Sequence, residues 1–280
     1  MPLKLFYITN RREIALIAED AGVDRIFLDM EYIGKQDRQG GMDTVQNHHT
    51  IQDIKILRNT ITKAELLVRV NPIHDRTNFY SSSDEEIEQA IDSGADILML
   101  PMYKSVREVD RFLSIVDHRV KTMLLCETPE AVSIMPEIVK IDEIDEIHIG
   151  LNDLHLAMKK GFMFELLSDG TVDRIADVIR PSGKRYGFGG IARIGYGTLP
   201  AEKIIAEHYR IGSQMAILSR SFCNAEKMSD LVEIRNIFDS EVRKIRETES
   251  LFSQYSPEQF DDNRREVVRI TNHILQSVNN

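Results

Sequence analysis

The chain has 280 residues, of which 42% are hydrophobic and 29% charged, with a formal net charge of −10 and a pI of about 5.4. That length holds one large domain or two modest ones around a sizeable core. The acidic balance argues against a nucleic-acid surface, and no apolar run reaches the roughly 20 residues that span a bilayer, so neither nucleic acid nor membrane is an expected partner. The opening MPLKLFYITNRREIA turns charged too soon for a secretory signal. Cys126 and Cys223 make no disulfide framework, and a reducing, cytoplasmic setting is expected.

A short β-rich run, a polar turn and a segment of helical period recur along the chain. Leu3–Ile8 is the first strand, followed by Asn10 as a cap and the helix Arg11–Ala21. Arg25–Asp29 is the second, then a polar stretch, Glu31–His49, and the helix Thr50–Thr60. Glu65–Val70 is the third, followed by the loop Asn71–Ser83 and the helix Asp84–Ser93. Ile97–Leu100, closed by Pro101, leads into the helix Ser105–Val116. Thr122–Cys126 and Ile147–Ile149 are the fifth and sixth strands, joined by the helix Ala131–Lys140. A short helix, Leu154–Lys159, and another near Val172–Arg180 precede Tyr186–Gly190, the helix Pro200–Ile211 and the eighth strand, Gln214–Leu218.

Eight alternations within about 220 residues indicate a closed (β/α)8 TIM barrel of the α/β class, whose usual length is ~250 residues. A doubly wound open sheet is the rival. The barrel is assigned to residues 1–223 and a helical extension to 224–280. The extension reads as two helices, Glu226–Phe252 and Pro257–Ser277. Leu231, Ile234, Ile237, Phe238, Val242 and Ile245 recur at helical spacing, so one face needs a partner. That partner is either the chain's own barrel or a neighbouring subunit, with the second, a homo-oligomer, preferred.

The chemistry concentrates in Lys121–Ala157. Each of its two strands ends in an acidic residue beside a helix start, Glu127 before Thr128-Pro129 and Asp153 after Gly150-Leu151-Asn152. In one βαβ unit both reach the same sheet end, where two carboxylates form an oxygen pair for Mg²⁺ or Mn²⁺. The plainer reading makes them neighbours of ordinary helix caps. The other strand ends deliver Asp29, Glu31, Arg69, Asn71 and Arg193. Arg69 closes the apolar run LLVRV, where an unpaired guanidinium would be costly. It either holds a substrate carboxylate or phosphate at the barrel mouth or forms an ion pair with Asp29, Glu31 or Glu127. The glycines of GFGGIARIGYG fit neither a dinucleotide nor a P-loop pattern and read as a tight strand exit.

GVDRIFLDMEY, the arginine of LLVRVNP, SGADILMLP, LLCETPEAV and IGLNDL, in that order, resemble the HpcH/HpaI aldolase / citrate lyase β-type family of phosphoenolpyruvate/pyruvate-binding barrels. The resemblance covers Val23–Leu156 and weakens through GFGGIARIG. It implies a metal-dependent carbon–carbon lyase of aldolase type acting on pyruvate or a similar 2-oxo acid. By it, Glu127 and Asp153 hold Mg²⁺ or Mn²⁺, Arg69 stabilises an enolate oxygen, and Asp29 orients a metal-bound water or ligand. Backbone groups near Thr128, Gly150 and Asn152 would then support the substrate carboxylate.

There are two departures from the family pattern. Tyr32 stands where the family has a histidine linked to proton transfer, and the Gly-Arg-Gly insertion before strand five is missing. Tyr32 can bond the substrate, but an ordinary pKa of about 10 makes it a poor base. His48, His49 and His155 are the candidates to return one, given an unperturbed pKa of about 6.5, against a surface or capping role for each. A citrate lyase β-like acyl-CoA lyase and a ligand-binding barrel without turnover are the alternative functions.

Overall fold

The computed structural model describes residues 1–35 and 49–278. Eight parallel strands close in sequence order: β1 (Lys4–Ile8), β2 (Arg25–Asp29), β3 (Glu65–Arg69), β4 (Ile97–Leu100), β5 (Lys121–Cys126), β6 (Glu146–Ile149), β7 (Arg185–Ile191) and β8 (Met215–Leu218). β8 pairs with β1 from Lys4 opposite Met215 to Tyr7 opposite Leu218. That pairing makes the sheet a barrel and excludes the open-sheet rival.

Strands covered on both faces must be apolar on both, and β2 and β4 are buried along their whole lengths. Alternation divides them: Ile26 and Leu28 of β2 join the layer under the helices, while Phe27 joins the barrel interior with Phe6, Leu67, Met99, Met123 and Met215. The same alternation sends Arg25 inward near the amino ends of the strands. Its Nη2 donates to Glu146 Oε1 and its Nε to Glu65 Oε2, both at 2.8 Å, and its guanidinium lies 4.8 Å from the centre of the Phe6 ring. A fully buried guanidinium is tolerable there because its donors meet two carboxylates.

Several helices start where the sequence says they should, for a local reason. Thr50, Ser82 and Ser105 each form a reciprocal capping box with the acid three residues on, Asp53, Glu85 and Glu108. Two helices depart from expectation. The predicted Ala131–Lys140 is two short helices, Pro129–Ser133 and Met135–Ile138, broken around Pro136, which lacks an N–H and crowds the preceding turn. The first C-terminal helix begins at Leu231 rather than Glu226, because the Asp230 side chain accepts from Val232 N and Glu233 N.

The face of that helix preferred as a subunit contact is used within the chain. Ile234, Phe238, Val242 and Ile245 are buried in the main core, and the helix packs on Arg12–Asp20. Leu3 N donates to Glu249 Oε1 at 2.5 Å, and Arg246 Nη1 donates to Leu3 O at 2.7 Å, tying the helix to the start of β1. The last helix, Pro257–Val278, packs on Ala201–Ile211 and Glu165–Ser168. Among the described residues no helix is long and apolar enough to cross a membrane.

Removing only Arg25 leaves the buried Glu146 with Arg185 alone, 3.9 Å away. Arg25→Met is expected to destabilise the barrel by about 3–5 kcal/mol in urea unfolding, and adding Glu146→Leu should recover most of the loss. Equal destabilisation in the single and double variants would contradict this account of the barrel floor.

Candidate active site

At the carboxyl ends of the strands, register places Asp29 of β2 beside Arg69 of β3. The guanidinium grips the carboxylate with two prongs, Nε to Oδ1 and Nη2 to Oδ2, both at 2.8 Å, and its Nη1 lies 3.3 Å from Glu31 Oε2. Lys35 Nζ reaches Asp29 Oδ2 at 2.5 Å. Burial pushes the Asp29 carboxyl up, but the adjacent Arg69 and Lys35 outweigh it and hold it well below the usual carboxylate range. Burial likewise disfavours the Arg69 cation, and Asp29 and Glu31 more than restore it. The ion-pair reading of Arg69 is therefore realised, and the same side chain also lines the central cavity.

Glu127 follows β5 and is buried, with Met102 N donating to Oε1 at 3.1 Å. Burial raises its pKa well above the ordinary value, and Glu31 and Asp153 push the same way against Arg69 and the Met102 N–H. The neighbourhood of this carboxyl is thus richer in negative charge than in cations. Room for it comes from Gly150, at the end of β6. A Cβ there would lie 2.8 Å from Glu127 Cβ and 2.9 Å from Glu127 Oε2, distances no side chain tolerates. Asp153 stands in the first turn of the helix Leu151–Ala157, buried at the same cavity.

The cavity measures about 300 Å³. Glu127, Asp153, Arg69 and Asp29 line one part, with His148 beneath the rim; Tyr7, Ile217 and the segment after β8 line the rest. Gly189 of β7 lines it with backbone, and a Cβ there would stand 2.8 Å from Leu151 Cδ1. The donor chemistry fits a hard divalent cation: carboxylate oxygens around an excess of negative charge, in a cradle that a single methyl at Gly150 would fill. Among the described residues no three His, Cys, Asp or Glu side chains form a complete cage. Mg²⁺ commonly takes one or two carboxylates and fills its other positions with water and substrate oxygens.

Of the residues singled out from sequence, Asp29, Arg69, Glu127, Gly150, Asn152 and Asp153 meet at this one cavity. Glu31, Tyr32, His49, Asn71, Thr128, His155 and Arg193 do not line it. Tyr32 donates its hydroxyl to His49 O, and burial with the nearby Asp29 pushes it up to about 12. Thr128 accepts from Ala131 N at 3.0 Å as a helix cap and donates to Tyr103 O at 2.9 Å. His155 Nδ1 sits 3.1 Å from Leu151 O of its own helix. His49 is buried, and its Nδ1 accepts from Asp29 N at 3.0 Å; His48 lies outside the described residues. Arg193 turns away to donate from Nε to Phe222 O at 2.6 Å.

Lys35 and His148 are among the cavity residues that escaped sequence reasoning, as are Tyr7, Ser219, Arg220 and Glu226. Lys35 sits in a polar stretch with no period to orient it. His148 had a usable signal: in EIHI, Glu146 and His148 alternate with two isoleucines, so both face the barrel interior if the isoleucines face the helices.

Residues 3–162 match the profile of the HpcH/HpaI aldolase/citrate lyase family, and the chain belongs to that family. The solved structure of an HpcH/HpaI aldolase from Desulfitobacterium hafniense DCB-2 is similar over 88% of this chain and 93% of its own, at TM-score 0.58 and 15% identity. An HpcH/HpaI aldolase/citrate lyase family protein from Burkholderia cenocepacia J2315 matches over 84% and 95%, at 0.60 and 14%. The citrate lyase beta subunit from M. tuberculosis, complexed with oxaloacetate and magnesium, matches over 85% and 97%, at 0.55 and 16%. At such identities these likenesses speak for the shared barrel. No curated protein sequence matches the chain.

The grip of Asp29 on Arg69 should be worth more than a surface ion pair. Asp29→Asn is expected to lower stability by about 3 kcal/mol, since two buried cations lose their shared carboxylate. The urea midpoint measures this, and a loss under about 1 kcal/mol would place the pair with ordinary surface bridges.

Proposed function

We propose that this barrel is a divalent-metal-dependent carbon–carbon lyase of aldolase type, acting on a 2-oxo acid through an enolate. The observation that carries the reading is one cavity shared by a guanidinium fixed by Asp29 and the carboxyl groups of Glu127 and Asp153. Glu127 and Asp153 would hold the cation, Mg²⁺ or Mn²⁺. When bound, it would supply Lewis-acid polarisation of the substrate's keto group and anchor its carboxylate.

The chain's own residues do the rest. Arg69 is charged and held before substrate arrives, so it meets charge developing on the keto oxygen with little reorganisation. Asp29 and Lys35 set its direction from behind. Gly150 keeps the cavity open beside Glu127. Tyr32 does not serve as the base, since its hydroxyl is engaged with a carbonyl and its pKa lies far above neutral. Family membership and the magnesium and oxaloacetate of the citrate lyase beta subunit structure support the substrate class.

Exchange of the pyruvate methyl protons in D₂O, followed by NMR, tests enolate formation without knowledge of the second product. Exchange is expected with Mg²⁺ or Mn²⁺, abolished in Glu127→Gln and slowed about 100- to 1,000-fold in Arg69→Lys. No exchange in the metal-loaded wild type would remove the lyase reading, and cation binding without exchange would favour a barrel that binds its ligand without turnover.

A further inference from the structure

Asn71 stands just beyond Arg69 in the chain and outside the cavity, yet it is 5% exposed and its side chain joins two elements. Its Oδ1 accepts from Tyr32 N at 2.8 Å and from Ile33 N at 2.9 Å. Its Nδ2 donates to Glu86 Oε1 at 3.0 Å, and its own backbone N–H donates to the same oxygen at 3.1 Å. Glu86 belongs to the helix Ser83–Asp92 and is itself buried. Burial pushes the Glu86 carboxyl up, and the two Asn71 donors and the nearby His74 oppose that rise.

These partners demand an amide. Backbone N–H groups only donate and a carboxylate only accepts, so the Asn71 oxygen must face Tyr32 and Ile33 and its nitrogen must face Glu86. Leucine here would strand two buried N–H groups, and aspartate would set one carboxylate against another.

What the amide holds is the segment after β2. Glu31, on one side of Tyr32, lies against Arg69 Nη1. On the other side, Lys35 N donates to Tyr32 O at 3.3 Å, closing a turn through Gly34, whose φ is 73°. That turn brings Lys35 Nζ back to Asp29, which grips Arg69 with both oxygens. The two N–H groups bound by Asn71 therefore sit midway between the two side chains that surround the Asp29–Arg69 pair.

We propose that Asn71, held by Glu86, is a positioning residue that presents Glu31 and Lys35 to the Asp29–Arg69 pair and so fixes the direction of the guanidinium. The proposal rests on the enolate reading and adds to it the residues that keep Arg69 aimed. Asn71 and Glu86 act through the segment they hold and touch neither substrate nor metal.

The test compares Mg²⁺-loaded wild type with Asn71→Ala, Asn71→Asp and the double variant Asn71→Asp/Glu86→Gln. Acetylation of Lys35 by acetic anhydride, followed by mass spectrometry, reads the link without any activity. Methyl exchange of pyruvate in D₂O gives kcat and KM. In Asn71→Ala, Lys35 is expected to react at least about 10-fold faster and kcat to fall about 10- to 100-fold, as when an outer support of a site is lost. KM should stay within about threefold, since the aimed guanidinium acts on charge that develops in the transition state. Asn71→Asp should lose as much, and adding Glu86→Gln, whose amide can donate to the new carboxylate, should recover most of both losses.

A merely structural link would lower the melting temperature in every variant and leave kcat unmoved. Either readout unchanged in Asn71→Ala overturns the proposal; if that variant does not fold, Asn71→Asp against its double variant decides in the same way. If wild type itself exchanges no methyl protons, the enolate reading falls, and Lys35 reactivity alone then decides whether Asn71 sets the ion pair.

Discussion

Arg69 and Asp29 constrain everything at the mouth of this barrel. A guanidinium at the end of an apolar strand is tolerable only with its donors met, and register between β2 and β3 supplies Asp29 where two of them point. Once that pair forms, Glu31 and Lys35 fall into place around it, and Arg69 faces the cavity in a fixed direction. Burial raises the Glu127 pKa, and the negative charges of Glu31 and Asp153 add to the effect. A fixed cation on one side and an excess of carboxylate on the other suit a ligand that is itself an anion bound through a metal.

The barrel keeps its two charged layers apart. Arg25, Glu65 and Glu146 close the floor, while Asp29, Arg69 and Glu127 form the rim. Between them lies a zone of Phe6, Phe27, Leu67, Met123 and Leu125, interrupted by His148. Low dielectric in that zone strengthens the pairs at both ends and makes an unmet polar group conspicuous.

Strand order, several helix starts and the meeting of Asp29, Arg69, Glu127 and Asp153 at one end of the barrel were legible in the sequence because they depend on local rules. Alternating strands and helices announced the barrel, and the matched strand ends singled out Glu127 and Asp153. What escaped depends on long-range placement. Nothing near Lys35 says that it turns back to Asp29. No local pattern tells whether the apolar face of Leu231–Phe252 meets its own barrel or a neighbour, and it meets its own. Thr128 and His155 stand next to the right residues in sequence, but a cap bond and a bond within their own helix hold their side chains. Pro136 marks a break that helical period alone does not show.

If Glu127 and Asp153 together receive one divalent cation, each of them must contribute to its affinity. Titration of the protein with Mn²⁺, followed by electron paramagnetic resonance of the free ion, tests it most directly in wild type, Glu127→Gln and Asp153→Asn. A single saturable site is expected in wild type, with affinity falling at least about 10-fold in each variant separately. Undiminished Mn²⁺ binding in both variants would contradict it.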